Sequence, residues 1–228
     1  MNNKFTNDEY KKSIKNNSPL PILKYVRVER YFTRPMASLI VRAVYKTRIT
    51  PNSLTIFSFV IGLLGAAAYF GGSHIFFIMG GILAQLSSIF DCADGQLARA
   101  KNIETRYGAY LDLLLDRFSD SIVYLGMIFG YFRYSGSWEW LIIGLTSLGL
   151  YNLQTNLYYV SKQYFKMDKL GDRAEARGFA VFVILILSLF NRLEFVFMGI
   201  LLMTVLNIGY RLFIFLWKER KQPFNGSS

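Results

Sequence analysis

Apolar residues in this chain come in six long blocks separated by short polar breaks, and the breaks hold most of the charge. Residues 1–19 are polar and rich in Asn and Lys. Over 21–47 the pattern changes: Ile22, Tyr25, Val26, Phe32, Met36, Leu39, Ile40 and Val44 interleave with Lys24, Arg27, Arg30, Arg34 and Arg42. That spacing predicts an amphipathic helix lying on a bilayer surface, broken near Pro35. Thr50-Pro51-Asn52-Ser53 then reads as a helix start, with Thr50 as N-cap and Pro51 at the first helical position. Six spans follow, at about 54–70, 75–90, 107–134, 138–160, 178–190 and 195–217. Gly71-Gly72-Ser73-His74, Ser135-Gly136-Ser137 and Asn191-Arg192-Leu193-Glu194 mark turns. The fifth block is short for a hydrocarbon core about 30 Å thick, so its helix is expected to begin earlier, around residues 175–177.

The expected fold class is therefore an all-α integral membrane protein, with six transmembrane helices preceded by an amphipathic juxtamembrane helix. The expected organisation is an N-terminal segment over 1–50, a six-helix bundle over 51–221 and a polar tail over 222–228. The N-terminal residues lack an early apolar core, so the first span is expected to serve as its own insertion signal.

Composition supports this reading and narrows the chemistry. Hydrophobic residues make up 53% and charged ones 18% of the 228 residues, below the quarter or so that is charged in ordinary soluble domains. The net charge of +11 would suggest nucleic acid for a soluble protein. Here the cations flank apolar runs, so topology, anionic lipid and phosphorylated substrates account for them, and no nucleic-acid partner is expected. Eleven Lys/Arg against three Asp/Glu precede the first span. The segments after spans two and four and the C-terminus are also basic, while those after spans one, three and five are not. The positive-inside rule then places both termini in the cytoplasm. Cys92 is the single cysteine and His74 the single histidine, which excludes an internal disulfide, a cysteine-based zinc site and any two-histidine chemistry.

The informative polar residues are aspartates. Asp91 and Asp94 close the second span at i, i+3 spacing; Gly108, Asp112 and Asp116 open the third at i, i+4 spacing. With a short loop between them, the two helices are expected to be antiparallel neighbours whose carboxylate faces converge. One Asp at the centre of a spanning helix costs about 2.5–3.5 kcal/mol on insertion scales, and four together add like-charge repulsion. Hard oxygen ligands in such a cluster call for a divalent cation such as magnesium or manganese, and two cations bridged by carboxylates form a common phosphoryl-transfer site. Gly95, Ala98 and Gly108 leave room for a bulky ligand, and Arg99 adds a planar cation suited to phosphate. Taken singly, an aspartate pair at a helix end is usually a solvated face, and small residues in membrane helices usually mark close packing. It is their combination at these spacings that points to a phosphoanhydride substrate.

The run Asp91-x-x-Asp94-Gly95-x-x-Ala98-Arg99, eight residues, then Gly108-x-x-x-Asp112-x-x-x-Asp116 resembles the signature of the CDP-alcohol phosphotransferases, class I, at every fixed position. The strict match covers 91–116; the six spans and the Thr50-Pro51-Asn52 start are also similar. The resemblance implies a six-helix bundle, usually a homodimer, with its site open to the cytosol. It implies two divalent cations, Mg2+ or Mn2+, held by Asp91, Asp94, Asp112 and Asp116, with Asp116 as general base. Asn52, Gly95, Ala98, Arg99 and Gly108 would then line the CDP site.

The implied reaction transfers a substituted phosphate group from a CDP-linked donor, either CDP-diacylglycerol or a CDP-polyol such as CDP-inositol, to an acceptor alcohol, releasing CMP. Cations expected on the same side as the aspartates, among them Lys162, Lys166, Lys169, Arg173 and Arg177, suit a phosphorylated polyol as acceptor. Arg173 and Arg177 stand foremost because they border the fifth span, and Arg106 is a further candidate. Residues 171–183 also resemble the membrane half of di-myo-inositol-phosphate-phosphate synthases. Two other classes fit intramembrane carboxylates, a divalent-cation transporter and a non-catalytic scaffold. The clustering of the aspartates at one end of the bundle, with no polar ladder crossing it, weighs against transport.

Overall fold

The computed structural model describes residues 29–165 and 173–219. These form seven α-helices with no strand among them: α1 (Arg34–Val44), α2 (Pro51–Phe70), α3 (His74–Lys101), α4 (Arg106–Ser135), α5 (Trp138–Phe165), α6 (Arg173–Leu189) and α7 (Leu193–Glu219). Three of the helical segments, Pro51–Phe70, His74–Lys101 and Leu193–Phe213, are long and apolar enough to cross a bilayer, and Arg177–Leu189 is a shorter apolar helix. The chain thus reads as an integral membrane protein.

Helix boundaries follow local chemistry. The Thr50 hydroxyl accepts the Ser53 N–H at 3.2 Å, with Pro51 in the first turn, as expected of an N-cap. Thr105 caps α4 in the same way, accepting from Gly108 N at 3.0 Å. Gly136 ends α4 at φ 68°, a left-handed conformation that suits glycine. Helix α6 does begin before the apolar block, at Arg173.

One expected helix break is not found. Pro35 does not break a helix. A short π-helical turn, Glu29–Thr33, leads into α1, and Pro35 sits in the first turn of α1, where its missing N–H costs nothing. Helix α3 carries both of its aspartates, as their shared face requires, and continues through the signature to Lys101, ending on Asn102 at φ 56°. The part of the juxtamembrane segment before residue 29, together with Lys166, Lys169 and the polar tail, lies outside the described residues.

Helix α2 is the organising element, because it packs along both α3 and α4. Its approach to α4 is backbone against backbone. A β-carbon added at Gly126 would lie 2.5 Å from the carbonyl oxygen of Ala66, and one at Gly130 would lie 1.9 Å from that of Tyr69. Only glycine permits this contact. Gly80 of α3 likewise receives the Tyr69 ring, 2.5 Å from where a β-carbon would stand. Helices α3 and α4, expected to be direct neighbours, touch each other little; α2 fills the space between them on one side, and α6 packs along α3.

The apolar core has two parts. Tyr69, Phe77, Tyr124, Met127, Ile128, Tyr131 and Phe197 form the larger one, toward the α2–α3 turn. Ala37, Val41, Leu54, Ile89, Ala93 and Leu97 form a smaller one that seats α1 against α2 and α3. Gln96 Nε2 donates to the Arg34 carbonyl at 3.1 Å across that second contact.

Candidate metal and substrate centre

The aspartates of α3 and α4 meet at the end of the bundle opposite the larger core. One carboxylate oxygen from each of Asp91, Asp112 and Asp116 lies within 4.8 Å of the others, and all three residues are half-buried. Helical spacing delivers the α4 pair on one face, while α3 presents Asp91 across the gap that α2 holds open.

The guanidinium of Arg177, from α6, is driven into this group. Its Nη1 donates to Asp91 Oδ2 and approaches Asp116 Oδ2, each at 2.8 Å. Its Nη2 and Nε both donate to Asp120 Oδ1, at 3.0 and 3.1 Å. One cation therefore faces four carboxylates within a half-buried space. Like charges so placed repel strongly, and Arg177, together with the Arg99 charge felt at Asp112, offsets only part of that charge. The donor set is all oxygen and anionic, which suits a hard divalent cation.

Asp94 takes a different place from the other three signature aspartates. It is 5% exposed, and it accepts a hydrogen bond from the Thr55 hydroxyl of α2 rather than joining the three-oxygen group. Its position one turn beyond Asp91 on α3 nevertheless keeps it at the same end.

The residues expected to line a nucleotide site come together in two pairs. A β-carbon at Gly108 would lie 3.0 Å from Asn52 Oδ1, so the first turns of α2 and α4 meet there. The Arg99 guanidinium lies over Gly95, with Nη1 3.3 Å from where a β-carbon would stand. Ala98 is half-buried between these positions in sequence, and its carbonyl accepts the Ile103 N–H at 3.0 Å, folding the α3–α4 link tightly. Lys101 Nζ donates to the carbonyls of Thr47 and Ile49, at 3.1 and 3.0 Å, tying the strap before α2 to the end of α3. That clamp fixes where Asn52 stands.

Of the three candidate acceptor cations, Arg177 is brought into the site. Arg106 is exposed at the start of α4, and the Arg173 side chain lies outside the described residues. Sequence reasoning missed Asp120 and Thr55. Asp120 carried a signal, since it continues the i, i+4 series of Asp112 and Asp116 by one turn; Thr55 carried none, because a threonine in an apolar span is ordinary.

Comparison with known proteins agrees with this arrangement. Residues 48–216 match the model of the CDP-alcohol phosphatidyltransferase family. The archaetidylinositol phosphate synthase of Pyrococcus horikoshii is 31% identical over 164 residues, 70% of this chain and 78% of that one. The bifunctional IPC transferase and DIPP synthase of Aquifex aeolicus is 28% identical over 180 residues, 76% of this chain, and the match spans only 40% of its length. The crystal structure of Mycobacterium tuberculosis phosphatidylinositol phosphate synthase with CDP-DAG bound shares the fold, with a TM-score of 0.60 at 21% identity, over 79% of this chain and 92% of that one. With its signature complete, its helices arranged in the same fold and three of its aspartates gathered around one point, the chain belongs to the CDP-alcohol phosphatidyltransferase family, whose members transfer substituted phosphate groups.

Proposed function

We propose that this chain catalyses metal-dependent transfer of a substituted phosphate group from a CDP-linked donor to an acceptor alcohol, with release of CMP. The observation that carries this reading is the convergence of Asp91, Asp112 and Asp116 from two helices onto one anionic point, beside the Asn52–Gly108 and Gly95–Arg99 pairs. Asp91, Asp94, Asp112 and Asp116 would hold two divalent cations, Mg2+ or Mn2+. When bound there, such cations neutralise the donor diphosphate and stabilise the departing CMP.

Asn52, Gly95, Ala98, Arg99 and Gly108 bind the CDP moiety, the glycines and alanine giving space and Arg99 giving charge. Asp116 accepts the proton of the acceptor hydroxyl. The acceptor oxygen bonds to the phosphorus nearer the transferred alcohol. The bond from that phosphorus to the bridging oxygen breaks, and the bridging oxygen leaves with CMP. Arg177 supplies a cation for an acceptor that is itself phosphorylated. An inositol phosphate is the acceptor class most in keeping with the relatives, several of which are named for inositol phosphate products. The enzyme works as a homodimer in the bilayer, with site and termini facing the cytosol.

The test is CMP release by purified protein in lipid. CDP-diacylglycerol or CDP-inositol is supplied with inositol phosphate, glycerol phosphate or a plain alcohol, and with Mg2+ or Mn2+. Acceptor-dependent CMP that disappears on chelation is expected. Metal flux through proteoliposomes, without CMP from any pair, would instead assign a transporter.

A further inference from the structure

The guanidinium of Arg177 is shared between two tasks. One edge, Nε and Nη2, rests on Asp120 Oδ1; the remaining nitrogen, Nη1, reaches the oxygens of Asp91 and Asp116. Asp120 is one helical turn beyond Asp116 on α4 and outside the group of three converging carboxylates. The Arg177 side chain is 22% exposed, so its charge depends on these partners more than on water.

We infer that Asp120 is a positioning residue that anchors Arg177, so that the guanidinium can yield Asp91 and Asp116 to a divalent cation without being left unpaired. This inference rests on the metal-site reading above. Arg177 and a cation compete for the same two carboxylates, because Nη1 already occupies an oxygen on each. A guanidinium that gave up both would be a half-buried charge without a partner, which is costly. Asp120 removes that cost: two N–H groups stay bonded to it while the third nitrogen turns free. Without the Asp120 charge, Arg177 would be committed to Asp91 and Asp116, and cation binding would have to break its principal ion pairs. Freed from those carboxylates and still held by Asp120, Nη1 remains at the centre, available to an anionic group of the substrate.

The arrangement distinguishes this role from that of a further metal ligand. A ligand, or a merely attractive nearby charge, helps the cation whether or not Arg177 is present. An anchor matters only when there is an arginine to hold.

The measurement is Mn2+ binding to the full chain in lipid nanodiscs, followed by the loss of the free-ion electron paramagnetic resonance signal. Wild type, Asp120→Asn, Arg177→Gln and the double variant are compared. Asp120→Asn is expected to bind Mn2+ about ten-fold more weakly, the scale of one charge-assisted hydrogen bond. Arg177→Gln is expected to bind at least as tightly as wild type, because a competing cation is gone, and adding Asp120→Asn to it should change little. A ten-fold loss that persists in the Arg177→Gln background would overturn the inference and make Asp120 a direct contributor to the metal. An Asp120→Asn protein with wild-type affinity would overturn it as well. If Asp120→Asn does not fold, Arg177→Gln still decides: weaker Mn2+ binding there contradicts competition. Wild-type protein that binds no Mn2+ would sink the metal-site reading and this inference together, whereas the other failures leave the metal site standing.

Discussion

The two ends of the helix bundle treat polar groups in opposite ways. Toward the α2–α3 turn, most polar groups are satisfied in pairs. Tyr69 and Ser188 hydroxyls lie 2.7 Å apart, those of Tyr124 and Ser147 lie 2.8 Å apart, Tyr131 donates to Glu194 at 2.8 Å, and Asn191 donates to Tyr134 at 2.6 Å. The first three pairs each join two helices around an aromatic core, and the fourth ties the α6–α7 turn to the end of α4. At the other end, four carboxylates crowd around one guanidinium. Arg177 pairs with three of them, but their summed charge exceeds its own, so repulsion and desolvation are left standing. A membrane bundle gains stability from the first kind of arrangement and loses it in the second. The second is therefore where a charged ligand is expected, since only an added cation makes the cluster favourable.

The sharpest way to break this contrast is to change one carboxylate. Asp116→Asn is expected to lower CMP release by about 10²–10⁴-fold, the usual worth of a positioned general base, while the elution profile of the purified protein stays the same. The same CMP rate as wild type would remove Asp116 from the mechanism. Because the site is a net cost to folding, thermal unfolding of this variant in lipid should not fall below that of wild type.

At the other end the ordering of effects should reverse. Gly130→Ala puts a β-carbon against the Tyr69 carbonyl, where the space is taken by backbone that cannot swing away. A loss of about 1–3 kcal/mol or more in unfolding free energy is expected, read from denaturant unfolding in detergent. Unchanged stability would mean that α2 and α4 are not held backbone to backbone. Smaller again is Tyr131→Phe, which removes one hydrogen bond but leaves Glu194 its ion pair with Arg192 at 3.3 Å. About 1 kcal/mol of stability is expected to go, with turnover of the folded protein unaltered. A large fall in turnover at wild-type stability would show that the two ends are coupled and that the contrast is too simple.

Much of this was legible in one dimension. The helix start at Pro51 follows from the Thr50 cap and proline chemistry, which act over three or four residues. The convergence of Asp91 with Asp112 and Asp116 followed from helical spacing and a short link. Other features depended on which helices touch. The short link suggested that α3 and α4 pack together, yet α2 stands against both, because glycines at 62, 65, 126 and 130 let its backbone come closer than α3 and α4 come to each other. Asp94 carries the same signature weight as Asp91, but a threonine on another helix claims it.

What the sequence determined by itself is whatever short-range chemistry and periodicity encode: helices, their caps, the apolar blocks, and a set of acidic and small residues at spacings that name a family. What only the tertiary structure decided is the pairing of residues far apart in the chain. Arg177 is 57 residues from Asp120 and 86 from Asp91, and its place at the edge of a span made it a candidate for an acceptor phosphate without linking it to either carboxylate. Its role depends on where α6 lies beside α3. That placement is set by packing over the whole bundle, and no local pattern of residues records it.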